Sequence, residues 1–243
     1  MFGLDPPSNG HSNVRLSSQP QLVTDPRAFP TVGKLQYNTT LPLQEKEIVL
    51  TFDDGPRPPF TTEVLDILAA HRTKATFFLI GSAATRFPAL VRRMYEDGHG
   101  IGTHTQNHPL PFGELSETSA QSEIEDGIAS VAKVLGNRAC IAPFFRFPGL
   151  ARSSRLENYF RSRSLSIWSA DIVADDWLDI TPQELVRRTL TRLNQRKSGI
   201  LLLHDVQRRT VTALPWLFRE LEQRGYRFVH AFSPNSSEHQ ASI

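Results

Sequence analysis

The chain has 243 residues, 39% hydrophobic and 21% charged, an ordinary globular composition long enough to bury a substantial core. Its 27 basic and 25 acidic residues leave a formal net charge of +2, too small an excess to argue for nucleic acid or an anionic membrane as partner. One cysteine, Cys140, excludes an internal disulfide, and the apolar Ile141 and Ala142 beside it suggest a small core residue.

In chain order, residues 1–44 are rich in Pro, Ser, Asn and Gln and read as an irregular N-terminal arm. The start, Met1-Phe-Gly-Leu-Asp-Pro-Pro-Ser8, shows neither the charged nor the apolar region of a signal peptide. No apolar run approaches the ~18 residues that span a bilayer. Localisation therefore stays open between the cytoplasm and a chain that begins downstream of its natural start. Residues 45–232 then alternate short apolar runs with helical spacing, and residues 233–243 read as a loose polar tail.

The apolar runs are Ile48–Phe52, Ala75–Ile80, His99–Thr103, Ile141–Phe145, Ser166–Ala170, Ile200–Leu203 and Tyr226–Ala231. Between them, Thr61–Leu68 sets Val64, Leu65 and Leu68 on one helical face behind Pro58 and Pro59. Glu117–Leu135 is helical in pattern, and Thr181-Pro-Gln-Glu184 is a capping box that opens Leu185–Leu193. Ala213–Arg224 is the last helix, stopped by Gly225. Strands alternating with helices predict an α/β protein with a parallel sheet of about seven strands, closed as a barrel or left open.

In such folds chemistry gathers at the carboxyl ends of the strands. Five of the about seven expected strands finish there in ionisable groups: Asp53-Asp54, His104 with His108 four residues on, Arg146, Asp171, and His204-Asp205. Each has an ordinary structural reading. Asp-Asp-Gly-Pro is good turn chemistry, and an i,i+4 histidine pair on a helical turn is often a surface coincidence. Arg146 fits an arginine lying on apolar surface, and His204 a hydrogen-bonded core histidine. The set favours function. One carboxylate and two imidazoles suit zinc, and a second carboxylate beside a metal suits a general base. An arginine would hold that base ionised, and a histidine paired with an aspartate would serve as general acid. This is equipment for hydrolysis of an amide or ester. Neither a Gly-rich phosphate loop nor Gly-x-Ser-x-Gly occurs.

Five motifs in order resemble one family, the polysaccharide deacetylases (NodB-homology, carbohydrate esterase family 4). They are Thr51-Phe-Asp-Asp-Gly-Pro56, Gly98-His-Gly-Ile-Gly-Thr-His-Thr-Gln-Asn-His-Pro109, Phe145-Arg-Phe-Pro-Gly149, Trp168-Ser-Ala-Asp171 with Asp176-Trp177, and Leu201-Leu-Leu-His-Asp205. The resemblance implies a distorted (β/α) barrel and removal of N-acetyl groups from N-acetylglucosamine glycans such as chitin oligomers or peptidoglycan. Some members remove O-acetyl groups from xylan instead, and a silent carbohydrate-binding protein is a third possibility that the complete residue set argues against. It implies a divalent metal, zinc by default with cobalt or manganese as substitutes, on Asp54, His104 and His108. Asp53 resembles the catalytic base, Arg146 the arginine that positions it, His204 the general acid, and Asp171 the partner that tunes His204. The Gly149 N–H matches an oxyanion donor, and Trp177 and Leu202 match residues lining the acetyl pocket. The family is often exported to the periplasm or cell wall. Two departures stand out. Asp171-Ile-Val-Ala-Asp-Asp-Trp177 is two residues longer than the family's usual Asp-x-x-Asp-Trp, which leaves the position of Trp177 open. Leu150 stands where glycine or a polar residue is common. Neither touches a metal ligand, so activity is expected.

Overall fold

The structure is a computed structural model and describes residues 19–233. Its elements are β1 (Gln21–Val23), β2 (Thr31–Val32), β3 (Glu47–Asp53), α1 (Phe60–Ala70), β4 (Thr76–Leu79), α2 (Gly81–Arg86), α3 (Pro88–Glu96) and β5 (Gly100–Thr103). There follow α4 (Glu117–Leu135), β6 (Phe144–Phe145), α5 (Glu157–Ser162), β7 (Ser166–Trp168), β8 (Ile172–Val173), α6 (Pro182–Arg196), β9 (Gly199–His204), α7 (Arg208–Gln223), β10 (Arg227–Phe228) and β11 (His230–Phe232). The main sheet runs β2-β7-β6-β5-β4-β3-β9-β8, with β10 beside β3, and every pairing is parallel. It is a half-barrel curled around one interior, with no pairing between β2 and β8.

All seven apolar runs form strands, the last divided between β10 in this sheet and β11, which pairs with β1. Residues 1–18 of the expected arm lie outside the described residues, and within 19–44 β1 pairs with β11 while β2 supplies one edge of the half-barrel. Apart from Ser233, the tail expected to be loose lies outside the described residues. Among the described residues no helix is long and apolar enough to cross a membrane. Cys140 differs from expectation: it is only half-buried, in a short turn after α4.

Side-chain alternation explains how the half-barrel makes a site. On β3, Ile48, Leu50 and Phe52 pack outward with the helices, while Val49 points to the interior. The inward series therefore runs Val49, Thr51, Asp53. On β9 it runs Ile200, Leu202, His204, in register with β3. The interior is plugged by Phe78, Phe144 and Trp168, whose rings meet at 4.6–5.8 Å. Gly102 makes room for this plug, because a Cβ there would lie 2.8 Å from the Phe78 ring. Apolar layers fill the lower barrel, and the inward series of β3 and β9 end in the polar Asp53 and His204.

Asp171 sits elsewhere. It precedes β8 and so lies at that strand's amino end, where its carboxylate accepts from Lys34 N (2.8 Å), Thr40 Oγ1 (2.7 Å) and Ile200 N (2.8 Å). These three bonds fasten the arm to β9 across the unpaired seam.

Candidate active site

The first wall of the site is the end of β3. Asp53 is buried, and its Oδ1 accepts from the Arg146 guanidinium at 2.7 Å. Arg146 is itself fully buried across the interior. Its remaining donors go to Thr51 Oγ1 (2.9 Å) and the carbonyls of Trp168 (3.3 Å) and Ser169 (3.0 Å), and its plane lies 4.2 Å from the Phe78 ring centre. Burial lowers the Arg146 pKa, and the Asp53 charge and hydrogen bond oppose that shift. Four of its five N–H donors are committed, which holds the guanidinium and with it the Asp53 carboxylate in a fixed orientation.

Asp54 turns the other way, with φ 73°, a left-handed conformation that Asp tolerates better than most residues. Its Oδ1 is 3.5 Å from His104 Nε2 and 3.3 Å from His108 Nε2, and the three donor atoms lie within 4.8 Å of one another. The two histidines do not share a helical turn as their spacing suggested. They lie on a loop after β5, with Thr105 at φ 68° and His108 at φ 54°. That loop is shaped by Glu123 of α4, which accepts from Gln106 N and Asn107 N, and by Thr105 Oγ1, which accepts from His108 N.

The donors fit a divalent cation. His104 Nδ1 lies 2.7 Å from the Arg146 carbonyl, which can only accept, so the ring proton is on Nδ1 and Nε2 turns a lone pair toward Asp54. Burial holds His104 below the ordinary imidazole range, against the pull of Asp53 and Asp54, and so keeps it in the neutral form that ligates. Asp54 Oδ1 is buried with no hydrogen-bond donor. Electron-rich atoms facing one another around a buried, unpartnered oxygen suit a cation, and one carboxylate with two imidazoles is a zinc-type set.

His204 closes the opposite side, with Nε2 3.9 Å from Asp54 Oδ2. Its partner is Asp176, not Asp171. Asp176 Oδ1 accepts from His204 Nδ1 at 2.7 Å, and Oδ2 accepts from His204 N (2.7 Å) and Thr210 Oγ1 (2.5 Å). The reason is strand direction. β8 pairs with β9 as Ile172↔Leu201 and Val173↔Leu202, so the chain climbs from Asp171 at the foot of β9 to Asp176 at its head. Burial works against a charged His204, but the Asp176 hydrogen bond and the charges of Asp176, Asp53 and Asp54 outweigh it and push the pKa up to about 9.

The same climb settles Trp177. Despite the longer spacing it stands beside His204, ring centres 5.6 Å apart and nearly perpendicular. Trp177, Val173, Leu202, Leu110, Gly149 and Leu150 form the apolar side of a cavity of about 430 Å³ whose polar floor is Asp53, Asp54, His104, His108 and His204. All expected site residues except Asp171 thus meet either in this cavity or, for Arg146, directly behind it. Asp176 and Thr51 join the site without a role expected from the sequence. Asp176 carried a signal, since it immediately precedes Trp177.

A half-barrel with such a set at its rim defines a hydrolytic enzyme. A family model described as polysaccharide deacetylase matches residues 40–167. A peptidoglycan-N-acetylglucosamine deacetylase of Bacillus cereus is 34% identical over 198 residues, covering 78% of this chain and 88% of that protein. A chitooligosaccharide deacetylase of a Bradyrhizobium species is 32% identical over 200 residues, covering 74% and 87%. Among solved structures, a peptidoglycan deacetylase of Bdellovibrio bacteriovorus superposes with a TM-score of 0.80 at 30% identity, covering 90% of this chain and 60% of that one. The chain belongs to the polysaccharide deacetylase family, and its named deacetylase relatives act on carbohydrate.

Proposed function

We propose that this protein removes N-acetyl groups from N-acetylglucosamine-containing glycans, peptidoglycan or chitin oligomers, and releases acetate. The observation that carries this reading is the pairing of a held base with a held acid on either side of one cation-type cluster. Asp53, oriented by Arg146, is suited to take a proton from water. His204, backed by Asp176 and pushed up to about 9, carries a proton at neutral pH for the departing amine, which leaves poorly without one. Asp54, His104 and His108 would hold the divalent cation, most simply zinc. When bound, such a cation supplies Lewis acidity, polarising a carbonyl and making water more acidic. Gly149 lines the cavity, where its N–H would serve a developing oxyanion, and Leu202 and Trp177 would give apolar surface to the acetyl methyl. Among the described residues no lysine or arginine lines the cavity, which favours an uncharged sugar over one carrying a carboxylate.

The test is acetate release, followed by mass spectrometry, across chitin oligomers, peptidoglycan fragments and acetylated xylan. Loss of acetyl groups from the first two supports amide hydrolysis. Acetate from xylan alone would make the protein an O-acetyl esterase, and glycan binding without any turnover would make it a lectin-like module.

A further inference from the structure

β3 and β9 lie in register with Asp53 opposite His204, so the residues that follow, Asp54 and Asp205, leave the sheet together. Asp205 does not line the cavity. It is fully buried behind the turn from Asp54 to Arg57. Its Oδ2 is 2.5 Å from Thr61 Oγ1 in the first turn of α1, and the same hydroxyl accepts from Arg57 N at 2.7 Å. The carboxyl also lies flat against Gly55, where a Cβ would come within 2.3 Å of Oδ2 and 2.4 Å of Oδ1. On the other side, the Gly55 carbonyl accepts from Ile80 N at 3.2 Å. Asp205 Oδ1 has no hydrogen-bond partner. A buried carboxyl with one oxygen unpartnered is costly, so plain core filling does not account for it.

We propose that Asp205 is a positioning residue that braces the Asp54–Arg57 turn against α1 and thereby sets where Asp54 Oδ1 meets the two imidazoles. The inference rests on Asp54, His104 and His108 binding a divalent cation. Asp205 acts through packing and the Thr61 bridge, without touching the cation or the substrate.

The test is zinc affinity of the full chain, measured by competition with a chromogenic chelator, alongside the thermal midpoint. Asp205→Ala should bind zinc about 10–100-fold more weakly, the range expected when support behind a ligand is removed. Asp205→Asn, with the same shape, should retain the parental affinity. Gly55→Ala should also weaken zinc binding, and the Gly55→Ala/Asp205→Ala double variant should recover much of the loss, because the new methyl occupies the space the carboxyl left. General destabilisation would not produce that recovery. Thr61→Val, which removes only the bridge, should weaken binding and serves if Asp205→Ala does not fold. Parental affinity in Asp205→Ala or Thr61→Val, a loss in Asp205→Asn equal to that in Asp205→Ala, or a double variant no better than Gly55→Ala would overturn the brace. A parent chain that takes up no zinc would overturn both the cation reading and the brace.

Discussion

Asp176 holds His204 at two points, accepting from the ring Nδ1 and from the backbone N–H at 2.7 Å each. This double grip fixes both the tautomer and the aim of the imidazole, with Nε2 directed at the cavity floor. Asp176→Asn should therefore lower kcat by about 10²-fold or more, in line with the worth of a positioned acid. Asp171→Asn should leave kcat close to parental and instead cost about 1–3 kcal/mol of folding stability, because it disturbs a buried acceptor serving three donors. Steady-state kinetics and urea unfolding of both variants decide the matter, and equal kcat losses would return Asp171 to the site.

Arg146 and Asp53 form a buried ion pair at 2.7 Å, with Arg146 fully enclosed and Asp53 at the cavity floor. Removing one partner leaves the other charged and unsolvated, so Arg146→Met should destabilise the fold by about 3–5 kcal/mol. Adding Asp53→Asn should restore part of that loss, since the stranded carboxylate is then neutral. A double variant less stable than Arg146→Met, in urea unfolding, would mean that Arg146 matters chiefly through the Trp168 and Ser169 carbonyls.

Much of this was legible in the sequence, and the gaps have physical causes. Long apolar runs such as Gly199–His204 announce strands because burial on both faces demands them. β2 and β8 are two residues each, too short for a period, and are held by neighbours rather than by their own pattern. β8 and the segment after it explain the corrected partner: spacing reveals that two acids are near each other in the chain, but not that β8 starts beside Ile200 and its continuation brings Asp176 to His204. The His104–His108 spacing fits a helix equally well until Glu123, distant in sequence, fastens the loop. α7 starts at Arg208 rather than Ala213, with Pro215 inside it. Proline argues for a helix start, yet Val211, Leu214, Phe218 and Leu221 bury one continuous face, and that packing outweighs the lost bond.

Two histidines outside the site set an acid limit on stability. His99 and His230 are buried at the opposite end of the barrel, and burial, with Lys74 nearby, pushes them down to about 3 and about 4. Both are neutral in the fold but take up protons near 6.5 when unfolded, so the unfolded state binds more protons and stability rises with pH. Their contribution is complete above about 6.5 and is lost as pH falls toward about 4 for His230 and about 3 for His99. His230→Leu, which removes a ring whose Nε2 has no hydrogen-bond partner, should flatten part of the decline between pH 6.5 and 4 in urea titrations. An unchanged slope would show that carboxylates alone cause the acid sensitivity.

The central claim is that Asp54, His104 and His108 share one cation while Asp53 stays free to act as base. Acetate release from N-acetylglucosamine oligomers tests it, using metal-depleted protein titrated with zinc beside the Asp53→Asn variant. Activity should rise in step with zinc up to one equivalent, and Asp53→Asn should bind the same zinc yet release acetate at least about 10²-fold more slowly. Full acetate release without metal, or from Asp53→Asn, would contradict the account.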